Sequence, residues 1–122
     1  MKTLLFGFAL MLSCITSFAQ NERTSFDDIS VVSTSAGTSV LLSWKKGTEN
    51  IAYFIIERST DGVDFKQCGI VFLSEDPEFT AYKFRDKITS TSQGLLYRIG
   101  LVNEQKRLSY LPVKQLISPC NL

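Results

Sequence analysis

Polar and apolar residues alternate with a period of two through most of this chain, and the alternating stretches are rich in β-branched and aromatic side chains. Asp28-Ile29-Ser30-Val31-Val32-Ser33 predicts a first strand, and Ser35-Ala36-Gly37-Thr38 a turn. Ser39 to Lys45 predicts a second strand, with Val40, Leu42 and Trp44 on one face and Ser43 and Lys45 on the other. That face is committed to a core whose largest member is Trp44. Beyond the polar connection Lys46 to Asn50, the third strand runs from Ala52 to Arg58 and is apolar at both parities until Glu57. Such a strand is covered on both sides or lies mid-sheet. Phe65 to Phe72, Thr80 to Arg85, Leu95 to Val102 and Arg107 to Leu116 supply four more. Seven short strands with turns between them predict an all-β, antiparallel β-sandwich. No helical period, repeat or linker competes, so one domain is expected over residues 28–117, with a C-terminal tail at 118–122.

The first residues follow another pattern. Lys2 precedes the apolar run Leu4 to Leu12, and Ser17-Phe18-Ala19 places small residues around a cleavage point before Gln20. A basic start, a short apolar core and a small-x-small site predict a signal peptide over 1–19, followed by a polar leader over 20–27. The apolar core falls far short of the roughly 20 residues that a spanning helix needs. Met11-Leu12-Ser13-Cys14 is a loose lipobox, with Leu12 bulkier than usual, so a lipidated Cys14 is the rival route. The expected location is therefore the periplasm, the cell surface or the medium.

Charge narrows the partners. The chain carries 13 Lys and Arg against 12 Asp and Glu, and loss of Lys2 on export leaves it formally neutral. Lys45-Lys46 and Lys106-Arg107 read as isolated pairs, with no basic stripe to neutralise phosphates, which argues against nucleic acid. There is no histidine, hence no Ser-His or Cys-His nucleophile pair and no imidazole ligand. The sequence therefore predicts a non-enzyme without a cofactor.

Ser59-Thr60-Asp61-Gly62-Val63-Asp64 is the densest polar stretch. Calcium takes 6 to 8 oxygens, more than this turn offers alone. Asp61-Gly62 instead fits a tight hairpin, with glycine at the positive φ and the carboxylate on the turn backbone. Glu75-Asp76-Pro77-Glu78 reads likewise as a solvated turn before the fifth strand.

In order and spacing these residues resemble the fibronectin type III domain, a seven-stranded immunoglobulin-like sandwich. Val40-Leu41-Leu42-Ser43-Trp44 is similar to its second strand with the core tryptophan, and Leu96-Tyr97-Arg98-Ile99-Gly100-Leu101-Val102-Asn103 to its sixth. Phe54, Ile56, Glu57, Arg58, Ser59, Asp61, Gly62 and Phe65 match a hairpin of bacterial copies of the domain. The resemblance implies that Tyr97 is the corner tyrosine, with its ring in the core and its hydroxyl on nearby backbone. Two departures stand out: Lys45-Lys46-Gly47 replaces the prolines that many animal copies carry after the tryptophan, and no Arg-Gly-Asp loop exists.

In this fold the fourth and last strands lie three inter-strand steps apart, about 14 Å at about 4.8 Å each. That exceeds the roughly 4.4 to 6.8 Å of a disulfide, so Cys68 is expected as a buried thiol and Cys120 as unpaired with it or pairing between chains. With Phe54 and Ile56 inward, Tyr53, Ile55 and Glu57 face out beside Arg98, Gly100 and Val102. Tyr53, Ile55, Glu57, Arg98 and Val102 are therefore the candidate partner surface, an apolar centre with a charged rim. The expected function is an exported module that binds a protein or acts as a structural spacer at the bacterial envelope or outside the cell. The alternatives are a carbohydrate-binding sandwich and an accessory domain of a larger secreted enzyme; the lone tryptophan reads as buried, and no exposed aromatic platform is assigned.

Overall fold

Strict side-chain alternation sorts the strands into two antiparallel sheets, each burying one face against the other. The computed structural model describes residues 22–89 and 94–116. Its strands are β1 Ser25–Thr34, β2 Gly37–Lys45, β3 Tyr53–Ser59, β4 Lys66–Phe72, β5 Ala81–Ile88, β6 Leu96–Val102, β7 Leu108–Tyr110 and β8 Lys114–Gln115. One sheet has the order β1-β2-β5, and the other has β4-β3-β6-β7 with β8 also on β6. Among the described residues no helix is long and apolar enough to cross a membrane.

The inward residues are those the alternation selects. Val40, Leu42 and Trp44 of β2 meet Phe54 and Ile56 of β3 and Tyr97 and Ile99 of β6, all fully or almost fully buried. The Trp44 indole takes the Phe54 ring edge-on at 5.3 Å and stacks on Tyr82 at 6.1 Å. Aromatic pairs of this kind contribute about 0.5–1.5 kcal/mol beyond their buried area. The Trp44 Nε1 donor finds no acceptor among the described residues. On β4 the Phe84 ring of the opposite sheet rests against the Gly69 backbone, where a Cβ would collide with it.

Three expectations change. The seventh strand, Arg107 to Leu116, is two strands, interrupted around Pro112 where the register against β6 shifts by one residue. The ladder to β6 runs to Tyr110, with the Leu111 amide still donating to the Ile99 carbonyl at 2.9 Å, and resumes at Lys114, giving eight strands among the described residues rather than the seven expected. The leader at 20–27 ends early: β1 starts at Ser25, and Thr24 and Phe26 are buried. The Glu49 carboxylate accepts the Thr24 amide at 2.9 Å and its hydroxyl at 2.6 Å, while Thr24 Oγ1 accepts the Gly47 amide at 2.9 Å. This knot pulls the segment into the fold.

The third change concerns Tyr97. Its ring is fully buried, but its hydroxyl donates to Asp86 Oδ2 at 2.6 Å rather than to nearby backbone. The same oxygen accepts Arg58 Nη1 at 2.6 Å, so one β5 carboxylate ties β3 and β6 across the sandwich. Burial would lower the Arg58 pKa, but the bond to Asp86 outweighs it and raises it. Burial and then Asp86 push the Tyr97 phenol well up. The predicted signal peptide, Cys14 and Cys120 lie outside the described residues, and with Cys120 the question of its pairing to Cys68.

Candidate functional site

The register of β3 fixes the candidate surface. Tyr53, Ile55 and Glu57 point away from the core, opposite to the fully buried Phe54 and Ile56. Neighbouring strands extend each position into a row. Tyr53 lies between Phe72 on β4 and Val102 on β6, with Leu108 on β7 beyond Val102. Ile55 lies between Ile70 and Gly100, with Tyr110 beyond Gly100. Phe72 is 71% exposed, Leu108 47%, Ile70 43% and Tyr110 39%, so two apolar rows cross an open sheet face.

Val102 does not belong to that surface. It is only 5% exposed, sunk between Tyr53 and Leu108, and the apolar contribution at this end comes from Leu108 instead. Gly100 shapes the middle of the face. A Cβ there would sit 2.9 Å from Leu108 Cδ1 and 3.1 Å from Tyr110 Cε1, so the missing side chain lets these two lie close to the sheet.

The third row is polar. Glu57 opposes Arg98, and Arg98 Nε donates to Glu57 Oε1 at 2.7 Å. The Arg98 guanidinium is held between two rings, 4.1 Å from the centre of Phe65 and 3.8 Å from that of Tyr110. Cation–π contacts contribute about 0.5–1 kcal/mol each at exposed sites. The Tyr110 hydroxyl donates to Glu57 Oε2 at 3.1 Å, and burial followed by this bond raises the phenol's pKa. Four side chains from β3, β6, β7 and the hairpin loop thus hold one another in place. Rigid aromatic anchors beside an oriented Arg–Glu pair suit recognition, since little side-chain freedom remains to be lost on binding.

The hairpin residues are placed differently. Gly62 has φ of +83°, and Asp61 Oδ1 accepts the Ser59 hydroxyl and the amides of Val63 and Asp64 at 2.8–2.9 Å. Those bonds, led by the one from Asp64, hold the Asp61 carboxyl below its usual range. All three of these bonds fall on Oδ1, which ties that oxygen to the turn backbone and to Ser59. The Glu75–Glu78 segment is also a turn, with Asp76 Oδ1 accepting the Glu78 amide at 3.0 Å. Among the described residues no group of three His, Cys, Asp or Glu is placed to hold a metal ion. Cys68 is half-buried, and desolvation pushes its thiol up to about 11.

Two features escape a residue-by-residue reading of the sequence. The first is an aromatic pair: Tyr53 and Phe72 bring their rings to 5.9 Å on the open face, a platform visible only once β3 and β4 are in register. The second is a basic row, which corrects the expectation that the chain has only isolated basic pairs and no basic stripe. Lys83, Arg85 and Lys87 are exposed on one face of β5, on the outer side of the three-stranded sheet. Their spacing of two residues was the available signal, since alternate residues of a strand share a face.

This arrangement sits on a fold with solved counterparts. No family model and no curated protein matches the chain. The structure is similar to pectate lyase Pel3 from Pectobacterium carotovorum, with 13% identity and a TM-score of 0.56 over 82% of this chain and 28% of that one. It is also similar to a β-1,2-glucanase from Parabacteroides distasonis, with 13% identity and a TM-score of 0.51 over 84% of this chain and 14% of that one. At such identity the likeness is of fold alone. The chain spans less than a third of the length of either protein.

Proposed function

We propose that this chain is an exported, non-catalytic binding module of fibronectin type III class that recognises a protein partner at the bacterial envelope. Class and location are supported by the strand order, by Trp44 on β2 and Tyr97 on β6, and by the signal-like residues 1–19. The observation that carries the function is the outer face of the five-stranded sheet. There Phe72, Tyr53, Ile70, Ile55, Leu108 and Tyr110 form a contiguous apolar field bordered by the Glu57–Arg98 pair. Open apolar fields with polar borders, rich in aromatic residues and arginine, mark protein interfaces.

The test is differential capture from envelope extracts. The wild-type chain retains a partner that both Tyr53→Lys/Ile55→Glu and Leu108→Lys lose while their melting temperatures stay near the wild-type value. Retention by both variants would exclude this face.

The Tyr53–Phe72 ring pair favours a second reading, a glycan partner or an accessory role in a larger secreted enzyme. The fold neighbours named pectate lyase and β-1,2-glucanase point the same way. Binding on a glycan array that disappears in Tyr53→Ala supports this reading over a protein partner.

A further inference from the structure

The two sheets have four edges, and unpaired edges are where sheets join other chains unless something blocks them. Three of the four are short, charged or polar in their exposed side chains. β1 carries a bulge between Phe26 and Asp28, and its exposed side chains beyond that point, Asp28, Ser33 and Thr34, are polar. β5 presents Lys83, Arg85 and Lys87. The far edge of the five-stranded sheet is the three-residue β7 and the two-residue β8, separated by Pro112.

β4 is different. It is seven residues long and ends the strand order of its sheet, and no backbone bond reaches its outer edge among the described residues. After Lys66 and Gln67, the run Cys68-Gly69-Ile70-Val71-Phe72-Leu73 has neither a charge nor a proline. The strand's register shift falls at the Cys68 end, leaving Gly69 to Phe72 regular. Ile70 and Phe72 stand exposed beside that edge.

We propose that β4 pairs antiparallel with β4 of a second copy about a two-fold axis at Val71, joining the two five-stranded sheets into one. In this register Ile70 lies opposite Phe72 of the other copy, on the same outer face, and Val71 lies opposite itself. A second copy fits because a two-fold pairing sets the edge against its own sequence. Over Gly69 to Leu73 that places apolar residues against apolar residues and no like charges together. The same operation at β5 would set cations against cations. This pairing uses the backbone of an edge and does not rest on the face being a partner site.

The experiment is sedimentation equilibrium of the purified chain under reducing conditions, which excludes a dimer linked through cysteines. An interface this small is at the weak end, so the dimer should build up over roughly 1 to 100 μM. Ile70→Lys/Phe72→Lys and Ile70→Glu/Phe72→Glu should each be monomeric, while their equimolar mixture should dimerise, because the register sets lysine opposite glutamate. Leu108→Lys, on the same face at the far edge, should dimerise as the wild type does. A wild-type monomer throughout that range, a dimer that survives in either double variant, a mixture that fails to associate, or loss of the dimer in Leu108→Lys would each overturn the proposal.

Discussion

Asp86 on β5 and Tyr97 on β6 share a hydrogen bond of 2.6 Å across the interior, the phenol of one sheet donating to the carboxylate of the other. Arg58 closes the group from β3 at 2.6 Å, through a side chain that is 36% exposed against 9% for Asp86. A carboxylate this deep persists because both its neighbours donate to it. Asp86→Ala leaves an unpaired cation and an unpaired buried hydroxyl, and is expected to cost roughly 2–4 kcal/mol, reduced because water still screens Arg58. Tyr97→Phe keeps the Arg58–Asp86 pair and should cost only about 1–2 kcal/mol. Urea unfolding of both variants checks the order; equal losses would mean the phenol carries the group.

The Thr24–Glu49 knot makes a pH prediction. Burial pushes the Glu49 carboxyl up, but the Thr24 hydroxyl and amide outweigh it and hold it below its ordinary value of 4.5. A carboxyl with a lowered folded pKa adds stability above its unfolded pKa and loses it as the pH falls through the folded one. Glu49→Gln should therefore be less stable than wild type at pH 7, and the gap should shrink below about pH 4.5. Denaturant midpoints at neutral and acid pH measure the gap. A gap that stays constant would show that the knot depends on shape rather than on charge.

Cys68 is predicted to be inert in the native state. Desolvation holds its thiol at about 11 against an ordinary 9.0, and the thiolate is the reactive form. Native protein at pH 8 should react with iodoacetamide roughly a hundredfold more slowly than the urea-unfolded chain, the ratio of thiolate fractions for two pH units. Mass spectrometry of the Cys68 peptide gives the rates; comparable rates would place the thiol in water.

Period-two alternation made β2 legible, since Val40, Leu42 and Trp44 are core residues by parity alone; β3 is apolar at both parities until Glu57, and there it is the structure that buries Phe54 and Ile56 and leaves Tyr53, Ile55 and Glu57 outside. Long-range register was not legible. Phe72 reaches Tyr53, and Leu108 covers Val102, only through pairings between strands distant in sequence. Val102 illustrates the difficulty, since its parity is that of the open face and its burial comes from neighbours on other strands. Asp86 was hidden for a similar reason. Flanked by Arg85 and Lys87 it looks like surface, and only the approach of Arg58 and Tyr97 from the other sheet gives it a place inside.

The polar row of the open face yields a spectroscopic prediction. Burial and then the bond to Glu57 raise the Tyr110 phenol's pKa, while Arg98 partly offsets them. Glu57→Gln removes the negative charge beside the phenolate, so Tyr110 should ionise at lower pH than in the wild type. Arg98→Ala removes the cation stacked 3.8 Å from its ring, so Tyr110 should ionise at higher pH. Arg98→Lys keeps the charge but loses the planar group that fits between Phe65 and Tyr110, so it should fall between wild type and alanine. Titration of phenolate absorbance, with each of the other tyrosines replaced by phenylalanine in turn to assign the signal, separates the three variants. Shifts of opposite sign for Glu57→Gln and Arg98→Ala would establish that the three side chains act as one charged unit on this face. Shifts of the same sign would mean that each substitution merely loosens the packing around Tyr110.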